Sequence, residues 1–288
     1  MNGVIGMPIQ HEKDTFLKNF LEGDGDAYNR KEVNYTGIVK NGTEYYKDLL
    51  AELILEKYKT LSEKDFIKFL IPENFPVMEN EKDFIPIHDF EKIEINNDSG
   101  RNEENIAKSI FKNGFKGQSP LKVSDYQVPV NWVDKGNVHG KIDIILVDEN
   151  NKIILSELKD EKSQETLLRA VLELKTYMLK IAMNDSALNR IQKTYSKFDD
   201  TLVLPEIISA IILCNYKEDI QQVNSRGQIN VLNQPLFDFK EMKKEDALYK
   251  LCKAWNIEFF ELTIDKKGET DGQRDYNKDE YTLKHLTY

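Results

Sequence analysis

Residues 140–159 read GKIDIILVDENNKIILSELK. Two apolar runs flank a polar turn, which is the pattern of a β-hairpin. The first run carries Asp143 among isoleucines, and the second ends in Glu157-Leu158-Lys159. Side chains alternate faces along a strand. Asp143 therefore shares a face with Ile145 and Val147, Glu157 shares one with Lys159, and Leu158 points the other way. If the turn is Glu149-Asn150-Asn151, Asp143 stands directly across from Glu157 on one face, and a slip of one residue would spoil this. Two carboxylates that close repel unless a cation lies between them. Lys159 supplies part of that charge. A hard divalent cation suits the rest, because Mg²⁺ takes oxygen ligands, typically one or two carboxylates with waters and phosphate oxygens. Such an ion polarises a phosphate and acidifies a bound water. These parts suit metal-dependent hydrolysis of a phosphodiester. The plainer reading is an exposed hairpin end with Glu157–Lys159 as a surface pair, contributing at most about 1 kcal/mol.

The tripeptide alone carries no information, since Glu173-Leu174-Lys175 and Glu241-Met242-Lys243 repeat it. The signal is the combination of an apolar strand with an inward Asp, a short turn, and an apolar strand ending in Glu-x-Lys. Its surroundings read as alternating helices and strands. Residues 11–22, 45–59 and 62–70 have helical spacing, the last opening at Ser62. NNDSG at 96–100 is a turn or linker signal. A boundary placed there gives a mostly helical region, 1–98, with no assignable chemistry. A core follows over 99–265. Residues 101–113 predict a helix with Ile106, Ala107, Ile110 and Phe111 on one face, ending at Gly114. A strand is expected over 124–133, confined to an edge or bulge by Pro129. After the hairpin come a helix over 163–183, a nearly continuous apolar strand over 206–216 that reads as central, a helix over 243–255 and a strand over 257–264. That order predicts an α/β sandwich around a mixed sheet. Residues 266–288 are polar and read as a loose tail.

The pattern Gly140-Lys141-Ile142-Asp143, followed by Glu157-Leu158-Lys159 at a strand end, resembles the PD-(D/E)xK phosphodiesterase superfamily, the restriction-endonuclease-like nucleases. The resemblance covers residues 101–264 and implies an αβββαβ core with a mixed central sheet. It implies that Asp143 and Glu157 bind Mg²⁺, or Mn²⁺ in its place, with the Leu158 carbonyl as a further ligand. Lys159 would position the attacking water or stabilise the transition state. Members often carry a Glu on the first core helix. Of Glu103 and Glu104, helical geometry at 100° per residue puts Glu103 near the middle of the apolar stripe, so Glu103 is the expected one. A Gln-x-x-x-Tyr on the next helix, found in some members, reads Glu173-Leu174-Lys175-Thr176-Tyr177 here, with Gln164 as a possible substitute. The implied activity is hydrolysis of DNA, double-stranded, by a restriction-type or defence endonuclease, in the manner of enzymes that often act as homodimers. The alternatives are a catalytically silent interaction module with the same fold and an RNA-cleaving nuclease.

Composition narrows the rest. The chain has 288 residues, 40% hydrophobic, with a net charge of −10. Charge is uneven: residues 1–100 carry −8, 101–200 carry +1 and 201–288 carry −3. A generally polyanion-coating protein is not supported, whereas a local basic surface in the middle block is compatible with DNA. No apolar run approaches the roughly 20 residues that span a bilayer. The opening MNGVIGMPIQHEKD has no basic region before a long apolar stretch, so no secretory leader and a cytoplasmic setting are expected. Cys214 and Cys252 read as buried thiols rather than a disulfide. His11, His88, His139 and His285 are too scattered to mark zinc, although His139 falls on the Asp143 face and could touch a phosphate. There is no phosphate-binding Gly-rich loop, dinucleotide fingerprint or Gly-x-Ser-x-Gly elbow.

Overall fold

A computed structural model describes residues 11–35, 37–72, 88–117, 119–130, 132–133, 137–138, 140–160, 163, 165–183, 185–195, 205–216 and 234–288. Among the described residues, three α-helices precede residue 98: α1 (Lys13–Leu21), α2 (Tyr46–Thr60) and α3 (Glu63–Leu70). Ser62 opens α3 as its pattern predicts, its hydroxyl accepting from the Asp65 amide at 3.2 Å. Helix α4 (Asn102–Asn113) follows and stops at Gly114, whose φ of 72° is a conformation that favours glycine. Then come β1 (Lys122–Pro129), the short pair β2 (Trp132–Val133) and β3 (Asn137–Val138), and the hairpin strands β4 (Lys141–Val147) and β5 (Ile153–Lys159). Helices α5 (Leu167–Ala182) and α6 (Asp185–Tyr195) lead to β6 (Ile207–Tyr216). Helices α7 (Gln234–Glu241) and α8 (Ala247–Ala254) lead to β7 (Ile257–Lys266). The chain finishes with β8 (Glu269–Thr270), β9 (Gln273–Arg274) and β10 (Glu280–Leu286).

Six strands form one mixed sheet in the order β1-β4-β5-β6-β7-β10. The β1/β4, β4/β5 and β7/β10 pairs are antiparallel, while β5/β6 and β6/β7 are parallel. The apolar run Ile207–Tyr216 is interior to the sheet, between β5 and β7, and the Pro-containing β1 is an edge, as the sequence predicts. Ile106, Ala107 and Ile110 of α4 cover one face, against Ile144, Leu146, Ile154, Leu158 and Ile212. Helix α5 covers the other with Leu168, Val171 and Leu172, against Ile145, Leu155, Ile211 and Leu213. Helix α5 begins later than the expected residue 163. The Ser163 amide bonds back to the Asp160 carbonyl at 3.2 Å, and Thr166 caps the helix by accepting from the Arg169 amide, also at 3.2 Å.

Two expectations change. Residues on both sides of 96–100 share one apolar cluster, which runs from Phe16, Phe20, Leu50 and Ile54 to Leu172, Leu251 and Phe259. The helical N-terminal region is thus a layer on the α5 side, with α2 packed against α8. The expected loose tail is also structure. Strand β10 pairs with β7, setting Tyr281 against Ile264 and Leu283 against Leu262. Tyr281 is 1% exposed and Tyr276 is 3% exposed. The polarity that reads as a tail is a bonded network. Asp279 accepts from the Gly268 amide, Arg274 and the Tyr281 hydroxyl at 2.8, 3.0 and 2.7 Å. Burial is affordable for such groups when each finds a partner. Tyr281→Ala should therefore cost about 3 kcal/mol or more, read as a lower urea midpoint, whereas a detached tail would leave the midpoint unchanged.

Candidate active site

The site grows from the hairpin turn. The Asp148 carboxylate accepts from the Asn150 and Lys152 amides at 2.9 and 2.7 Å, and Asn151 takes a left-handed φ of 62°. This is a three-residue hairpin turn with its last residue in the conformation Asn tolerates. It sets Val147 against Ile153 and Ile144 against Ser156. Continued one step, that register brings Asp143 opposite Glu157. Asp143 is held on both oxygens, Oδ2 accepting from the Leu158 amide at 2.9 Å and Oδ1 from the Gln127 side chain at 2.6 Å. Lys159 lies on the Glu157 face, and its Nζ donates to Glu157 Oε1 at 2.8 Å. The same ammonium is 2.6 Å from Glu165 Oε2 and 3.4 Å from Glu173 Oε2. Glu103 arrives from the N-terminus of α4, on the opposite face of the sheet, and its Oε1 accepts from the Asp160 amide at 3.2 Å. Asp143, Glu157, Lys159 and Glu103 all line one cleft of about 670 Å³ at the end of β5.

All four expected side chains therefore converge. Glu104 lines the same cleft but pairs with Arg101 and Lys108, at 3.1 and 2.8 Å. The Leu158 side chain is buried under α4, as alternation requires, and only its backbone faces the carboxylates. Glu165 and Gln127 were not anticipated. Glu165 sits in the connection before α5, where its Oε1 also meets Arg169 Nε at 2.7 Å, and no periodicity marks such a position. Gln127 depends on how β1 lies against β4, which the sequence does not state. Glu173 also enters the site and accepts from the Tyr177 hydroxyl at 2.8 Å. Gln164 and His139 lie outside the described residues.

Second contacts brace these groups. Tyr177 leaves room for no side chain at residue 140: a Cβ there would fall 2.4 Å from its ring, and Gly140 has a φ of 87°. The ring of Tyr28 meets Tyr177 edge-on with centroids 5.7 Å apart. The Tyr28 carbonyl accepts from Arg169 at 3.1 Å, Lys180 pairs with Asp26 at 2.7 Å, and the Thr166 hydroxyl donates to the Val33 carbonyl. A strap from the N-terminal layer thus lies along α5 beside the cleft.

The cluster is short of positive charge. Among the described residues, seven carboxylates line the cleft, Glu103, Glu104, Asp143, Glu157, Asp160, Glu165 and Glu173, against three cations, Arg101, Lys141 and Lys159. Burial pushes Asp143 up to about 6, against the pull of Lys159 and the Leu158 amide. Burial, with Asp143 and Glu173 beside it, raises Glu157 well above the usual carboxylate range. Burial pushes Glu103 up to about 7, with Lys159 opposing. Burial acts to lower Lys159, but Glu157, Glu173, Glu103 and Glu165 outweigh it and hold the ammonium well above its ordinary value. Glu157 Oε2 is buried without a hydrogen-bond partner. Among the described residues, no three His, Cys, Asp or Glu side chains form a ready cage for a metal ion. Mg²⁺ does not require one, since it binds through one or two carboxylates and otherwise keeps water and phosphate oxygens. An unsatisfied carboxylate oxygen and an excess of hard donors fit that ion. Comparison with protein-family models, with curated proteins and with solved structures finds no match.

Two outcomes follow from this geometry. Gly140→Ala should force Tyr177 off Glu173 and strain the backbone, costing about 1–3 kcal/mol by urea unfolding; an unchanged midpoint would mean the ring is not pinned there. The raised carboxylates bind protons more tightly folded than unfolded. The stability they contribute is full below the ordinary carboxylate range and is lost as pH rises through about 6 and about 7. Thermal midpoints of chelated protein should fall between about pH 5 and pH 8, and fall less in Glu103→Gln. Equal slopes in the two proteins would remove Glu103 from this account.

Proposed function

We propose that this chain is a divalent-metal-dependent nuclease of the PD-(D/E)xK type, hydrolysing phosphodiester bonds of DNA. One observation carries the reading: Asp143, Glu157, Lys159 and Glu103, from three elements, line a single cleft with Asp143 opposite Glu157. Asp143 and Glu157, with the Leu158 carbonyl, are the groups to hold Mg²⁺ or Mn²⁺. That ion, when bound, polarises the phosphate and acidifies a water. The Leu158 amide and Gln127 fix the plane of the Asp143 carboxylate. Lys159 is held charged by its carboxylate neighbours. It therefore acts as a donor, orienting the attacking water and stabilising charge that develops on the phosphate, rather than as a base. Glu103, pushed up to about 7 by burial, can take a proton from that water at neutral pH. A restriction-type or defence role, double-stranded substrate and action as a homodimer belong to the same proposal by analogy.

A second reading has its own support. Lys159 already contacts Glu157, Glu165 and Glu173, so the cluster could serve as a structural ion network in a silent nuclease-fold module. Supercoiled plasmid, linear duplex, single-stranded DNA and RNA incubated with Mg²⁺ or Mn²⁺ separate the two. Metal-dependent cutting is expected from the wild type, reduced about 100-fold or more in Lys159→Ala and Asp143→Asn. Cutting confined to RNA would change the substrate. Equal cutting by folded wild type and variants would overturn the site.

A further inference from the structure

Gln127 stands apart from every other side chain of the sheet. It sits inside an edge strand, bracketed by Tyr126 opposite Ile144 and Val128 opposite Ile142, which puts it across from Asp143. Its φ is 48°, a left-handed conformation that a non-glycine residue rarely takes, least of all within a strand. The strand also shifts register two residues earlier, between Val123 and Asp125. Gln127 is half-buried, it lines the cleft, and its Nε2 donates to Asp143 Oδ1 at 2.6 Å. The other oxygen of Asp143 takes the Leu158 amide at 2.9 Å. A carboxylate held on both oxygens cannot swing, and each oxygen has capacity for a further partner. Backbone strain persists where the surroundings enforce it, and it gathers at working sites.

We propose that Gln127 is a positioning residue for the metal site, its strained backbone aiming the carboxamide at Asp143 so that this carboxylate faces Glu157 before any ligand arrives. The inference rests on reading the cleft as a divalent-metal site. A partner that orients a metal ligand typically changes metal affinity 10–100-fold when removed. The alternative is local packing, in which Gln127 only satisfies a buried acceptor.

Two substitutions separate these. Gln127→Met keeps the length and the backbone conflict but has no donor. Gln127→Gly removes the donor and the conflict together. Mn²⁺ binding to the full chain is titrated by calorimetry, and thermal midpoints are taken with a chelator present. Both variants should bind Mn²⁺ about 10-fold or more weakly, with the Gly variant melting above the Met variant. Cutting should recover at saturating Mn²⁺, so that the loss lies in the metal concentration required and not in the maximal rate. Wild-type Mn²⁺ affinity in either variant would overturn the positioning role alone. A Gly variant that melts below the Met variant would overturn the strain. Absence of Mn²⁺ binding by the wild type would overturn the metal reading itself, and this role with it.

Discussion

The turn at Glu149–Asn151 is the constraint on which the rest depends. Asp148 accepts from two amides of that turn, and Asn151 supplies the left-handed residue. Together they allow one register, Val147 with Ile153. A strand repeats every two residues, so a slip of one would turn Asp143 toward α4, against Ile106 and Ile110. An unpaired carboxylate there would cost far more than a hairpin turn contributes. The apolar layers on both faces and the turn therefore enforce the same pairing. Strand β5 is also interior, its Glu157 beside Ile211 and its Lys159 beside Leu213 of β6. The end of β5 is then within reach of α4 from one face and α5 from the other.

That convergence has a thermodynamic direction. Replacing a buried ion cluster with well-packed apolar residues is often neutral or stabilising. Here several disfavoured features meet in one place: carboxylates raised by burial, a Glu157 oxygen without a partner and Gln127 at φ 48°. Elsewhere some buried carboxylates have full sets of partners, although Glu32 Oε1 and Arg30 Nε are also buried without a hydrogen-bond partner. Asp279 has three donors, and Asp125 accepts from His88 at 2.8 Å, its own neighbour's amide at 2.8 Å and Tyr195 at 2.7 Å. The cleft thus gathers a strained strand residue, raised carboxylates and an unpartnered carboxylate oxygen in one place.

The hairpin, the capped helices and the central strand were legible because each repeats a period. Helical geometry also distinguishes Glu103 from Glu104: both line the cleft, but the first reaches the Asp160 amide at the end of β5 while Arg101 and Lys108 hold the second. The missed features share a cause. Strand β10 alternates Tyr281 and Leu283 with Thr282 and Lys284, a weak apolar signal that gains meaning only once β7 offers an edge. Gln127 depends on the β1–β4 register, which includes an irregularity that no composition marks. Glu165 sits in an aperiodic connection and is brought to Lys159 by the cap of α5 at Thr166. Local pattern reveals which face a residue occupies, but not which distant residue it will meet.

The N-terminal layer shows where that distinction changes the biology. A boundary at 96–100 is a real break in pattern, from helices to the sheet-forming segment. It is not a break in the core, since Phe16, Phe20, Leu50 and Ile54 join the cluster built on α5. Nor is it a break in the site's support. Tyr28 packs on Tyr177, and Arg169, which bonds the Tyr28 carbonyl, also holds Glu165. Tyr177 in turn bonds Glu173, which faces Lys159. Each link is a direct contact, so the strap is joined to two of the carboxylates that pair with Lys159. A region whose −8 charge argues against broad contact with phosphate is thus tied to the cleft through protein contacts, with Tyr177 and Arg169 as the links to Glu173 and Glu165.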